Sequence, residues 1–208
     1  GRFMIRDFIR NKTYLQRAES EYILITSANF VCNMDSTELI EANEKSGADI
    51  TLVYKTAGKE NKNVYKLTIE GSKVVDMNKG VAQGDKAFLD TFIIKKTVLK
   101  DILDGYMALA YADIFDALKG SYDQLNIDAI EFDGYAKSIF DIESYYNGNM
   151  DSLLNEVDRD LFRHDRPILT KTQDSAPTKY GKVCEAKNCT IPAGCRIEGT
   201  VENCVLFR

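Results

Sequence analysis

Histidine is nearly absent from this 208-residue sequence, and Lys and Arg (27) are outnumbered by Asp and Glu (32), for a net charge of −5. Nucleic-acid and anionic-membrane binding need clustered cations against phosphates. Here the basic residues are scattered, which argues against both. No apolar run approaches the roughly 20 residues that span a bilayer. The N-terminus shows no charged region followed by an apolar block and a small-residue cleavage site, so no secretory leader is expected. The lone His164 lies in the polar stretch Phe162-Arg163-His164-Asp165-Arg166-Pro167, where a surface role is expected rather than a catalytic one. No C-x2-C pair occurs among Cys32, Cys184, Cys189, Cys195 and Cys204. The late spacings of 5, 6 and 9 differ from those of common structural zinc sites. Small buried hydrophobes are the preferred reading of these cysteines, with zinc as the alternative. An odd cysteine count without secretory features points to reduced thiols in the cytosol.

What is present begins with an α/β pattern. Phe3, Phe8, Ile9 and Leu15 recur at helical spacing. Tyr22 to Ser27 and Asp49 to Tyr54 read as strands buried on both faces of a parallel sheet. Between them Asp35 and Ser36 can cap a helix from Thr37 to Lys45, with Gly47 as its stop. That arrangement is a βαβ unit. Val64 to Ile69 and Lys73 to Met77 alternate around Glu70-Gly71-Ser72 and predict a hairpin. Ala87 to Ile94 and Ile127 to Phe132 are strand-like. Lys96 to Leu103, Tyr111 to Leu118 and Ile142 to Leu154 are helical, and polar Glu156 to Tyr180, with Pro167 and Pro177, reads as a linker.

The last segment has another period. Cys189, Cys195 and Val201 follow one another at six residues, as do Ile191 and Ile197. Lys187-Asn188-Cys189-Thr190-Ile191 is echoed by Glu202-Asn203-Cys204-Val205-Leu206. Small apolar residues six apart predict a parallel β-helix. A short irregular hairpin is the competing reading, since few hexads are visible. A solenoid needs about three repeats, so the sequence is expected to be a piece of a longer protein.

Specific residues then carry a resemblance. Leu24-Ile25-Thr26-Ser27-Ala28-Asn29-Phe30-Val31-Cys32-Asn33-Met34-Asp35 resembles the L-I-x-S-G-D-H-x-x-x-M-D stretch of ADP-glucose pyrophosphorylases. Gly134-Tyr135-Ala136-Lys137-Ser138-Ile139 stands where those enzymes carry G-Y-W-K-D-V, and Ile142-Glu143-Ser144-Tyr145-Tyr146 with Asn149-Met150-Asp151 matches their next helix. Ser175 to Tyr180 and Val201 to Arg208 are similar to the entry and first coils of their C-terminal β-helix. The resemblance spans nearly the whole chain and is strongest from Gly134 to Arg208. It implies the α/β class: an incomplete Rossmann-like nucleotidyltransferase sheet (1–158), a linker (159–181) and the start of a left-handed parallel β-helix built on hexapeptide repeats (182–208). The family's G-G-x-G-T-R-L phosphate loop is absent, which adds to the expectation that residues are missing on both sides.

The departures are equally informative. In the active enzymes two carboxylates hold magnesium against nucleotide and sugar phosphates, where a hard cation offsets the charge gathered by phosphoryl attack. Here those positions are Asn29 and Ser138, the first motif's His is Phe30 and its Gly is Ala28. The resemblance therefore implies no catalytic residue and no metal in this chain, although active members use magnesium. A vestigial sugar-phosphate pocket would involve Ser27, Lys79, Asp90 and Lys137. Lys79, in Asn78-Lys79-Gly80, answers loosely to the family's E-K-P turn and reads either as a phosphate contact or as a solvated turn lysine. Asp90 replaces the glycine of the A-S-M-G strand, where a carboxylate pointing into the pocket would repel phosphate. This pattern resembles the GlgD-type subunit, which implies a cytoplasmic, non-catalytic protein of glycogen biosynthesis. It would pair with a catalytic ADP-glucose pyrophosphorylase subunit in a hetero-oligomer and raise its output, with self-association through the β-helix tail. One alternative is an active transferase making ADP-glucose from ATP and glucose-1-phosphate with metal ligands relocated to Asp35, Asp133 or Asp141. Another is an unrelated sugar- or acyl-modifying protein sharing only the tail.

Overall fold

The two most apolar runs of the sequence lie side by side. Lys86–Lys95 is buried along nearly its whole length and Ile50–Thr56 along its first half, as strands covered on both faces must be. A computed structural model describes residues 3–106, 108, 111–119, 122–171 and 174–207. In chain order the first elements are α1 (Ile5–Arg10), α2 (Lys12–Arg17), β1 (Tyr22–Thr26), β2 (Phe30–Cys32), α3 (Ser36–Ser46), β3 (Ile50–Thr56), β4 (Asn61–Glu70), β5 (Lys73–Val81), β6 (Lys86–Lys95), α4 (Lys96–Gly105), α5 (Ile114–Ala117) and β7 (Ile127–Glu131). They are followed by β8 (Ala136–Ser138), α6 (Ile142–Asp151), α7 (Asn155–Leu161), β9 (Lys179–Tyr180), β10 (Glu185–Thr190), β11 (Arg196–Ile197) and β12 (Thr200–Val205). The chain divides into two units: Gly1–Phe30 with Met34–Asp133, and Val31–Asn33 with Gly134–Arg208.

The first unit is built on a mixed six-stranded sheet of order β1-β6-β3-β7-β5-β4, with a further contact between β4 and β6. Strands β1 and β3 both pair antiparallel with β6, so they run in the same direction with β6 between them. Only β3 and β7 are parallel neighbours. The expected parallel sheet is thus a mixed one, because an apolar run reports burial and not the direction of the partner strand. Strand β1 also departs from its expected burial on both faces: it pairs at the sheet edge, and Leu24 is 44% exposed. The predicted hairpin is present and longer than expected, with Gly71 at φ 64 in its turn.

Phe3, Phe88, Phe92 and Phe115 meet in the core. The Phe92–Phe115 centroids lie 5.0 Å apart and those of Phe3–Phe92 5.2 Å apart, both edge to face. Such pairs add about 0.5–1.5 kcal/mol to simple burial. Asp35 caps α3 by accepting from the Thr37 N–H at 2.8 Å, and Gly47 ends that helix in the left-handed region, both as the sequence predicts. The expected helix from Tyr111 shrinks to α5. Asp113 takes its N-cap, accepting from the Phe115 N–H at 3.0 Å and from the Phe3 N–H at 2.9 Å, and Tyr111 and Ala112 before it lie in a turn and a bend.

In the second unit α6 begins with a capping box. Asp141 accepts from the Ser144 N–H at 2.7 Å while Ser144 Oγ accepts from the Asp141 N–H at 3.0 Å. The polar segment read as a linker from Glu156 corrects to a helix as far as Leu161. Val157 and Leu161, four residues apart, are both buried, a spacing masked by the charged residues between them. Thr172 and Gln173 of the expected linker, and Arg208 at the end of the matched stretch, lie outside the described residues.

The tail folds back on itself in parallel. Strand β9 pairs with β11 (Lys179 opposite Arg196), and β10 pairs with β12 (Glu185 opposite Thr200, Cys189 opposite Cys204). The register therefore follows the Lys187–Ile191 and Glu202–Leu206 echo rather than a multiple of six residues. Asn188 and Asn203 hold it: both adopt left-handed backbone, φ 48 and 49, and Asn188 Nδ2 donates to Asn203 Oδ1 at 2.8 Å. Cys189, Ile191, Cys195, Ile197 and Val201 are all shielded from solvent, partly or wholly, in a largely exposed segment.

Candidate functional site

In the first unit Ser27 and Asp90 are brought together where β1 and β6 separate. The Ser27 N–H donates to the Asp90 carbonyl at 3.0 Å, and Thr26 and Thr91 share a hydroxyl hydrogen bond of 3.0 Å beside them. Asp90 has φ 50 and is fully buried. It lies where the pairing of β6 with β3 slips, between the Leu52–Phe92 and Tyr54–Phe88 partners. Aspartate tolerates left-handed backbone better than most residues, and a bulge is where a strand turns a side chain out of its regular alternation. Ser27 Oγ accepts from the Asn29 N–H at 3.1 Å, which fixes the turn carrying Asn29.

Lys79 stands apart from these residues. It is an exposed residue within β5, opposite Tyr65 on β4, and not in a turn; the neighbouring Gly80 takes the positive φ of 97. Strands β5 and β6 are not neighbours in the sheet order.

In the second unit β8 carries Lys137 and Ser138 and pairs with β2. Asp151, at the end of α6, accepts from Lys137 Nζ at 2.6 Å and from the Tyr135 hydroxyl at 2.9 Å. Burial, and then this carboxylate, push the Tyr135 phenol well above its usual range. The Tyr135 N–H donates to the Asp160 carboxylate on α7. Burial, and then the charge of Asp160, raise the Cys32 thiol. Gly148 gives β8 room, since a methyl group there would come 3.0 Å from Ile139 Cδ1. Beneath this lies a reciprocal clamp. Asn33 Nδ2 donates to the carbonyls of Leu161 (2.7 Å) and Arg166 (2.9 Å), while Arg166 donates to Asn33 Oδ1 (2.8 Å) and to the Asn33 carbonyl (2.9 Å).

These contacts limit the chemistry on offer. Lys137 is already neutralised by Asp151. Asn29, in the first unit, and Ser138, in the second, supply only neutral oxygens, a poor donor set for a hard divalent cation. Two of the alternative ligands have other roles, since Asp35 and Asp141 are helix caps, whereas Asp133 is exposed and only its backbone carbonyl accepts from Lys55 Nζ, at 3.0 Å. Among the described residues no group of three or more His, Cys, Asp and Glu side chains is placed to hold a metal ion. All five cysteines are free thiols, and His164 is exposed. Sequence reasoning missed the roles of Asp151, Asp160 and Asn33. Asp151 and Asn33 lay inside quoted motifs without an assigned partner, and Asp160 had no signal at all in a charged run.

No protein-family model matches the chain. Among curated proteins it is 30% identical over 203 residues to the glycogen biosynthesis protein GlgD of Bacillus subtilis, covering 98% of this chain and 51% of that protein. It is 29% identical to GlgD of Geobacillus stearothermophilus, covering 97% and 50%. Over nearly its whole length the chain is similar to the family of GlgD and glucose-1-phosphate adenylyltransferase proteins. The enzyme side of that family is represented by glucose-1-phosphate adenylyltransferase of Clostridium novyi, 24% identical over 95% of this chain and 54% of the enzyme. The chain thus spans about half the length of these GlgD and adenylyltransferase relatives. Among the described residues no helix is long and apolar enough to cross a membrane.

Proposed function

We propose that this chain is part of a non-catalytic, regulatory subunit of glucose-1-phosphate adenylyltransferase in glycogen biosynthesis. On this reading it works in the cytoplasm by associating with a catalytic partner subunit and raising that partner's output. The observation that carries the reading is the replacement of the family's two magnesium carboxylates by Asn29 and Ser138. Two neutral oxygens do not offset the charge of converging phosphates. The engagement of Lys137 by Asp151 supports the same reading, since a lysine paired at 2.6 Å is a poorer phosphate ligand than a free one. The relatives' names support the reading: two are glycogen biosynthesis proteins GlgD, and another is a glucose-1-phosphate adenylyltransferase.

On the same proposal the mixed sheet of the first unit is the remnant of a Rossmann-like nucleotidyltransferase domain. The parallel pairs β9–β11 and β10–β12 are then the opening coils of a left-handed parallel β-helix, and that helix is the surface through which subunits meet. Ser27 and Asp90, joined where β1 and β6 separate, are then what is left of the sugar-phosphate pocket in the first unit.

The test is pyrophosphate release from ATP and glucose-1-phosphate with magnesium, using the full-length protein alone and then mixed with a catalytic subunit. The expected result is no turnover alone and a higher rate from the mixture. Turnover by the protein alone overturns the non-catalytic reading, and an unchanged rate in the mixture overturns the regulatory one.

A further inference from the structure

Cys189 on β10 and Cys204 on β12 are direct register partners in successive turns of the tail, with their sulfurs 3.5 Å apart. From this geometry we infer that the two thiols form a reversible disulfide, a redox-sensitive staple between adjacent coils. Neighbouring strands lie about 4.8 Å apart, inside the roughly 4.4–6.8 Å between Cα atoms that a disulfide spans. The sulfurs need to close by about 1.5 Å to reach a bond near 2.05 Å.

The backbone favours the pair as well. Asn188 and Asn203, the residues just before the two cysteines, share the same left-handed conformation and are tied by their own 2.8 Å hydrogen bond. Both cysteines therefore leave equivalent backbone in the same direction, and the register cannot slip between them. Neither side chain is sealed in the core: both are part-exposed, so an oxidant can reach them. Either sulfur can donate in this contact, and the hydrogen bond raises the Cys204 thiol above its usual range. The same bond results whichever thiol attacks first.

The chemistry is thiol–disulfide exchange with a small-molecule disulfide such as oxidised glutathione. With Cys189 first, its thiolate attacks one glutathione sulfur, forming a mixed disulfide and releasing one glutathione thiolate. The Cys204 thiolate then attacks the Cys189 sulfur and releases the second. The two protein thiols lose two electrons and two protons, and the oxidant becomes two glutathione thiols. A small dithiol reverses both steps.

The experiment treats the native chain, dilute enough to be monomeric, with oxidised glutathione at mildly alkaline pH, then alkylates it and maps peptides by mass spectrometry. The expected result is a chain about 2 Da lighter, with three of the five thiols alkylated and one cross-linked peptide pair holding Cys189 and Cys204. Cys204→Ser abolishes that cross-link and Cys184→Ser leaves it intact, while dithiothreitol restores all five thiols. The inference is overturned if all five thiols remain alkylatable. It is equally overturned if the bond joins Cys184 or Cys195, links two chains, or stops at a glutathione adduct on Cys189 or Cys204.

Discussion

At the scale of single residues, Asn33 ties β2 to the end of α7 and to the segment after it. It is 7% exposed, and its amide both donates to two carbonyls and accepts from Arg166. Removing the amide leaves the Leu161 carbonyl and the Arg166 guanidinium short of partners in a mostly buried place. The cost of a stranded buried polar group is about 1–3 kcal/mol, more where a charge is involved. Asn33→Ala is expected to lower stability by roughly 2–4 kcal/mol in urea denaturation. A loss below about 0.5 kcal/mol would show that water replaces the clamp at no cost. Asp90 makes a related point. Its left-handed backbone is one that aspartate tolerates better than a branched residue, which fits the resemblance that sets Asp90 at a glycine of the family.

At the scale of elements, the ends of β3, β6 and β7 are gathered by one carboxylate. Asp49 accepts from the Asn126 N–H and from Lys95 Nζ, each at 3.0 Å, while the Lys95 N–H donates to the Asp49 carbonyl at 3.0 Å. Partial burial alone would raise this carboxyl, but the Asn126 and Lys95 hydrogen bonds outweigh it and hold the group below its ordinary range. A depressed carboxylate contributes stability above its unfolded value, near pH 4, and loses it as pH falls through the lower folded value. Asp49→Asn is therefore expected to cost about 1–2 kcal/mol at pH 7. The penalty should shrink as both chains are unfolded at successively lower pH below about 4. A penalty independent of pH would show that the hydrogen bonds, and not the charge, carry the contact. The helix ends were more legible than this junction. Asp35 and Gly47 announce α3 because a cap is a local hydrogen bond within a few residues, whereas Asp49, Lys95 and Asn126 are far apart in sequence.

For the whole molecule, the sequence suggests self-association through Ile191 to Phe207, and the structure supplies a physical route. Among the described strands β12 pairs only with β10, and Tyr180, Val183 and Phe207 of the tail are 55%, 77% and 63% exposed. A strand with a free edge and apolar neighbours is a template for another chain. We expect the light-scattering mass of the chain to rise with concentration, and Val201→Lys, which sets a charge on the associating strand, to suppress the rise. A constant monomer mass at high concentration would remove the tail as an interface in this chain.

The sequence by itself determined the elements that depend on near neighbours: the apolar strands, the caps of α3, the Gly71 hairpin and the echo that sets the tail's register. It also carried the family likeness, which sets Asn29 and Ser138 where active enzymes would hold carboxylates, because those are matters of residue identity. Tertiary structure alone decided that β6 runs between β1 and β3, that the polar stretch after Glu156 starts as a helix, and that Lys137 is held by Asp151. Strand order, the burial of a charged helix and the partner of a lysine are each set by groups distant in the chain. Local propensity carries no record of them.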